Sequence, residues 1–179
     1  MTNISLVLGG CKSGKSAFAL EQANKKKTNK YFIATSIPLD KEMKQRIQKH
    51  KKQRDKTWTC IEEPINIYDT INKCALKADV IIIDCLTIWV SNLLLLFCKN
   101  QRKKETFEIK EEVKLLKKAL KKTKCPVYLV SNEVGYGVVP DNKLGRNFRD
   151  LVGFVNQSIA KTADKVFITI AGINKQIKP

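Results

Sequence analysis

Ile4-Ser5-Leu6-Val7-Leu8-Gly9-Gly10-Cys11-Lys12-Ser13-Gly14-Lys15-Ser16 runs a short apolar segment directly into the phosphate-loop pattern G-x-x-x-x-G-K-S/T. Ile4 to Leu8 has the composition of a buried strand, and Ala17 to Ala23 reads as a helix. The glycines therefore stand where a strand turns into a helix. Gly9 and Gly14 let the backbone turn tightly and come close to a phosphate. Successive N–H groups, including those of Gly10, Cys11, Lys12 and Ser13, then face an anion together with the helix N-terminus. Lys15 is placed to reach the terminal phosphates, and the Ser16 hydroxyl to hold a magnesium ion. A glycine-rich turn that matches by chance is the competing reading, and the flanking strand and helix argue against it.

Working outward, strand-like and helix-like segments alternate along the chain. Lys30 to Ala34, Trp58 to Glu62, Val80 to Ile83, Pro126 to Ser131 and Val166 to Ile170 read as strands, the last being the final one expected. Val80-Ile81-Ile82-Ile83 is a continuous β-branched run, as in a strand covered on both faces. Helices are expected over Asp40 to Lys52, Ile65 to Leu76, Leu86 to Phe97, Phe107 to Lys122 and Asn142 to Ala163. Ile67, Ile71 and Cys74 form one apolar stripe, and Ile109, Val113, Leu116 and Leu120 another. Lys99 to Lys104 is the most polar connection. This order predicts an α/β fold of the P-loop NTPase type, a mostly parallel sheet with helices on both faces. At 179 residues and 20.3 kDa, the whole chain, 1–179, is expected to be a single domain.

Composition narrows the partners. The formal net charge is +17, mostly from lysine. The lysines are spread along the chain with few aromatics between them, so a nucleic-acid partner is not expected; a basic surface also attracts small anions. The six cysteines form no C-x-x-C pair and there is one histidine, which argues against a zinc site. With no signal-peptide pattern at the N-terminus, a cytoplasmic location with free thiols is the expectation. Val80 to Cys98 is the most apolar stretch, but Asp84, Ser91 and Asn92 interrupt it, so no membrane span is expected.

Four further features bear on chemistry. Asp84 ends the Val80–Ile83 strand, where ligands of open α/β sheets gather; it suits a magnesium contact or, alternatively, a helix N-cap. His50 has Arg46 four residues before it and Arg54 four after, with Lys51 and Lys52 adjacent. A neutral imidazole among cations suits a nucleophile toward a nucleotide α-phosphate; a solvated basic helix is the other reading. Ser131-Asn132-Glu133-Val134-Gly135-Tyr136-Gly137 is a binding loop at a sheet edge or a plain connection. Arg146 and Arg149, one turn apart, either grip a phosphate or line a solvated helix face.

Taken together, the phosphate loop, Ile33-Ala34-Thr35-Ser36 with the His50 segment, Trp58 to Glu62, the Ile81 to Leu94 segment, the Ser131 to Pro140 loop and Gly145 to Gln157 resemble one family. It is the bifunctional adenosylcobinamide kinase/adenosylcobinamide-phosphate guanylyltransferase family of cobalamin synthesis, and the likeness runs from Leu6 to Lys178. The resemblance implies phosphorylation of adenosylcobinamide by ATP or GTP, then transfer of GMP from GTP through a guanylyl-histidine to the resulting phosphate. It puts His50 at the position of the guanylylated residue. It implies that GTP is held by Gly9 to Ser16, by Ala34, Thr35 and Ser36, by Lys51, Lys52, Gln53 and Arg54, and by Glu62 and Asp84. Magnesium, a corrinoid acceptor and a homotrimer are further expectations. The chain departs from the family pattern in Cys11-Lys12, often Ala-Arg, in Asp84, often Glu, and in Lys49, which in some members is a second histidine.

Overall fold

Val80-Ile81-Ile82-Ile83 shows how the molecule is layered. A computed structural model describes residues 3–25, 28–38, 56–99 and 105–179 of the chain. In it all four of these residues are fully buried. Because side chains alternate along a strand, Ile81 and Ile83 enter one core and Val80 and Ile82 the other. Two cores mean that the sheet is covered on both sides.

The strands are β1 (Ile4–Gly9), β2 (Lys30–Ala34), β3 (Trp58–Glu62), β4 (Val80–Asp84), β5 (Val127–Asn132), β6 (Lys165–Ile170) and β7 (Ile173–Lys178). They form one sheet in the order β3-β2-β4-β5-β1-β6-β7. Every neighbouring pair is parallel except β6 and β7. The helices are α1 (Lys15–Asn24), α2 (Ile67–Cys74), α3 (Leu86–Lys99), α4 (Glu105–Lys122) and α5 (Lys143–Thr162). Phe18, Ala19 and Ala23 of α1 pack on one face with Val7, Phe32, Ile82 and Val130. The stripes Ile67-Ile71-Cys74 and Ile109-Val113-Leu116-Leu120 are buried on the other, among residues of α3 and α5. The expected α/β class, mostly parallel with helices on both faces, is therefore the architecture observed.

Boundaries moved by a residue or two where capping decides them. Asn142 is the cap of α5 and not its first turn: its side chain accepts from Gly145 N at 2.7 Å. The expected helix over Asp40 to Lys52 lies outside the described residues, as do positions 100–104 of the polar connection. One strand was not anticipated. β7 follows β6 through Ala171 and Gly172, whose φ angles of 50° and 82° suit a two-residue hairpin turn. Its sequence, Ile-Asn-Lys-Gln-Ile-Lys, carries no burial signature because it is an edge strand whose residues are largely exposed. The legible signal was the Ala-Gly pair between two runs containing isoleucine.

Candidate functional site

Six parallel strands end on the same edge of the sheet, so their last residues form a row. The register pairs Glu62 with Ala34, Ala34 with Asp84, Asp84 with Val130, and Gly9 with Asn132 and Thr169. The expected contact positions Gly9, Asp84, Ala34 and Glu62 thus share one edge. With strands about 4.8 Å apart, Asp84 lies about 10 Å and Glu62 about 19 Å along that edge from Gly9.

The loop between β1 and α1 is shaped by its backbone. Gly9 has φ 153° and Gly14 φ 104°, and Lys12 adopts φ 55°. A Cβ on Gly9 would lie 2.2 Å from the Thr169 carbonyl oxygen, so the close approach of β6 requires glycine there. Ser13 N donates to Gly10 O at 3.3 Å, and the Ser13 carbonyl accepts from Gly172 N at 2.9 Å. The β6–β7 turn therefore braces the loop from the side opposite β5. α1 begins with Gly14 as cap, without a side-chain capping bond and without an acidic residue in its first turn. Its leading amides are left for an external anion.

Lys15 is only 6% exposed. Its ammonium donates to Gly10 O and reaches Ser13 Oγ at 3.5 Å. Burial lowers its pKa below the usual 10.5, an effect opposed by Cys85, Asp84 and Cys11 nearby. Burial pushes the Cys85 thiol up to about 12, so this group is neutral at physiological pH and Asp84 supplies the countercharge. The N-cap position of α3 falls on Cys85: its carbonyl accepts from Trp89 N at 3.1 Å, and its sulfur accepts from the Thr87 and Ile88 amides. By strand alternation Asp84 points to the α1 face, as Val80 and Ile82 do, which brings it beside Lys15.

Thr35 is fully buried and its hydroxyl is committed. Oγ1 donates to Cys85 O at 2.8 Å and accepts from Cys85 N at 2.8 Å. Its amide donates to Asp84 O at 3.1 Å, and its carbonyl accepts from Asn92 Nδ2 at 2.8 Å. Residue 35 thus locks the β2 edge to the turn carrying Asp84. Thr35→Val keeps the volume but strands the Cys85 N–H, whose carbonyl retains Trp89 N, a loss of about 1–3 kcal/mol. Urea denaturation should show it, and Thr35→Ser should restore most of the stability.

Ser36 is half-buried and Glu62 exposed at the same edge. His50, Lys51, Lys52, Gln53 and Arg54 lie outside the described residues. Arg146 and Arg149 both bond main-chain carbonyls, while Arg149 Nη1 is buried without a partner among the described residues. Arg146 donates to Pro140 O and Asp141 O, and Arg149 to Gly135 O, so both tie the loop after β5 to α5. Sequence reading did not anticipate Gly172, Thr169 or Asn92 as supports. Their signal is purely tertiary, since each acts on a residue distant in the chain.

A strand, a glycine loop and a helix carrying Lys15 and Ser16, at the carboxyl edge of a parallel sheet, define a phosphate-loop nucleotide-binding protein. Residues 5–177 match the family model described as cobinamide kinase / cobinamide phosphate guanyltransferase, and the chain belongs to that family. It is 38% identical to the bifunctional adenosylcobalamin biosynthesis protein CobU of Salmonella typhimurium, over 97% of this chain and 98% of the relative. It is 35% identical to CobP of Pseudomonas aeruginosa, also named a bifunctional adenosylcobalamin biosynthesis protein, over 97% and 96% of the two chains. Identity to Escherichia coli CobU is 35%, over 97% and 98%.

Proposed function

We propose that this chain catalyses two successive transfers in cobalamin nucleotide-loop assembly. The γ-phosphate of ATP or GTP passes to a hydroxyl of adenosylcobinamide. GMP then passes from GTP to His50, with release of pyrophosphate, and from His50 to adenosylcobinamide phosphate, giving adenosylcobinamide-GDP. Family membership along almost the whole chain supports the reaction class. The observation that carries the reading is the row of Gly9, Asp84, Ala34 and Glu62 along one edge, which suits a nucleotide extended from the phosphate loop toward β3.

In this reading the amides of Gly10 to Gly14 and the α1 N-terminus hold the phosphates, and Lys15 offsets their charge. Ser36, Glu62 and the Lys51–Arg54 segment contact the remainder of the nucleotide. A covalent guanylyl-histidine splits one displacement at phosphorus into two, each needing only in-line geometry and charge compensation. Magnesium fits the donors present. Ser16 and Asp84 offer hard oxygens, and no cluster of three or more metal-binding side chains occurs among the described residues. That is the sparse protein contribution typical of an ion held mainly by phosphates and water. When bound, the ion would neutralise phosphate charge. The corrinoid is the acceptor, the protein works as one domain and as a homotrimer, and the cytoplasm is its location. Among the described residues no helix is long and apolar enough to cross a membrane.

The test is incubation with GTP radiolabelled at the α-phosphate, followed by acid and base treatment of the denatured protein. Wild type should carry an acid-labile, base-stable label, and His50→Ala should carry none. Label persisting on the His50→Ala protein would overturn the nucleophile, and label absent from wild type would overturn the second transfer.

A further inference from the structure

The two proposed transfers differ in what they ask of the protein. In the first, the acceptor is an alcohol, which must lose a proton as it attacks. In the second, the acceptor is a phosphate already ionised at neutral pH, which needs no base. A carboxylate serving the first transfer alone should stand beside the phosphate loop, on the side from which the alcohol arrives.

Glu133 meets that description. It follows the last residue of β5, the strand next to β1, and its amide donates to Gly9 O at 3.0 Å. Its carboxylate is half-buried, with Oε1 accepting from Gly135 N at 2.9 Å. Gly135 is held from the other side, since its carbonyl accepts from Arg149 at 2.9 Å. Gly135 and Arg149 line an open cleft of about 410 Å³ with Asp150, Gly153, Phe154 and Gln157 of α5. A side chain on Gly153 would meet nothing within 4 Å, so the cleft is open along the helix backbone. α5 packs on the sheet face opposite α1. The cleft therefore lies on the sheet face away from α1, and Glu133 links it to the phosphate loop, with its amide on Gly9 and its carboxylate on Gly135.

The other carboxylates at this edge are placed for different tasks. Asp84 is two strands from β1 and acts as the countercharge to Lys15. Glu63 braces the turn before α2 by accepting from Ile65 N at 2.9 Å and Asn66 N at 2.8 Å. Glu62 is four strands away.

Building on the functional reading above, we propose that Glu133 is the general base of the kinase step and that the α5 cleft delivers the alcohol. The alcohol oxygen bonds to the γ-phosphorus. The bond from that phosphorus to the bridging oxygen breaks, and the nucleoside diphosphate leaves. The hydroxyl proton passes to the Glu133 carboxylate and from there to solvent.

The test compares wild type, Glu133→Gln and Gly135→Ala. Glutamine keeps an oxygen for Gly135 N–H but cannot take the proton. An alanine Cβ at 135 would lie 2.9 Å from Glu133 Oε1 and displace the carboxylate without changing its chemistry. Three rates are measured: cobinamide phosphorylation, protein labelling by α-radiolabelled GTP, and GMP transfer to chemically supplied cobinamide phosphate. Glu133→Gln should lower kcat for phosphorylation by about 10²–10⁴-fold and leave both GMP steps near wild type; Gly135→Ala should show a weaker version of the same split. Phosphorylation that survives Glu133→Gln overturns the proposal, as does a parallel fall in all three rates, which would make Glu133 a brace for the loop. A wild-type protein that labels with GMP but phosphorylates no cobinamide overturns the base assignment while sparing the nucleotidyl transfer; one that does neither overturns the functional reading itself.

Discussion

Lys15→Met should slow both transfers by about 10²–10³-fold while leaving the fold as stable as wild type or more so. The two halves of this outcome have one cause. Lys15 is 6% exposed, and burial lowers the pKa of its ammonium. In the free protein it is a desolvated cation whose main offset is Asp84. Methionine fills similar space without that penalty. The phosphates supply the missing countercharge only when nucleotide is bound, so the cation stabilises the complex and burdens the empty protein. The pH dependence follows. Because the folded pKa lies below 10.5, the unfolded chain holds the proton more tightly. Wild type therefore gains stability relative to the variant as pH rises through the folded value toward 10.5, and the variant's advantage is greatest near neutrality. Nucleotide affinity of wild type runs the other way, falling as pH rises through the free-protein value. Thermal melts and nucleotide titrations at neutral and alkaline pH check both signs; unimpaired transfer by the methionine protein would remove Lys15 from the mechanism.

The adjacent glycines should behave as opposites. Gly9→Ala puts a Cβ 2.2 Å from the Thr169 carbonyl oxygen and 2.7 Å from Ser13 Oγ, at a φ of 153°. The nearer clash is with backbone, so β1 and β6 must part or the loop must change course. Strain and overpacking together should cost about 2–5 kcal/mol and abolish tight nucleotide binding. Gly10→Ala meets nothing within 4 Å and should shift stability by less than about 0.5 kcal/mol. Urea denaturation of the two variants, with nucleotide titrations beside it, gives the comparison. Equal tolerance at both positions would mean that the loop's course is not held by β6.

Much of this was written locally. The apolar run before Gly9, the unbroken Val80–Ile83 segment and the stripes of α2 and α4 each declare their element through composition and spacing, and all but the partly buried Leu8 are buried as that spacing requires. β7 was not legible because an edge strand open to solvent needs no apolar alternation. For Arg146 and Arg149 the spacing left a phosphate grip and a solvated face both open, because spacing on a helix does not reveal what lies above it; what lies there is the carbonyl row of the loop after β5. The resemblance places Thr35 in a nucleotide-binding segment, and only the tertiary structure shows its hydroxyl bonded to the main chain fifty positions away.

The amino-acid sequence alone determined that this is a phosphate-loop α/β protein of a cobinamide kinase and guanyltransferase family. Short-range patterns suffice for the phosphate loop and the α/β class, since a glycine turn, a following lysine and an apolar period act within a few residues; the family rests on the resemblance of several motifs taken together. Tertiary structure alone decided which strand stands beside which. That order brings Asp84 to Lys15, sets Thr169 against Gly9 and joins Glu133 to both Gly9 and Gly135. The physical reason is that hydrogen bonding and burial across a sheet join residues far apart in the chain, and no local pattern records the partner.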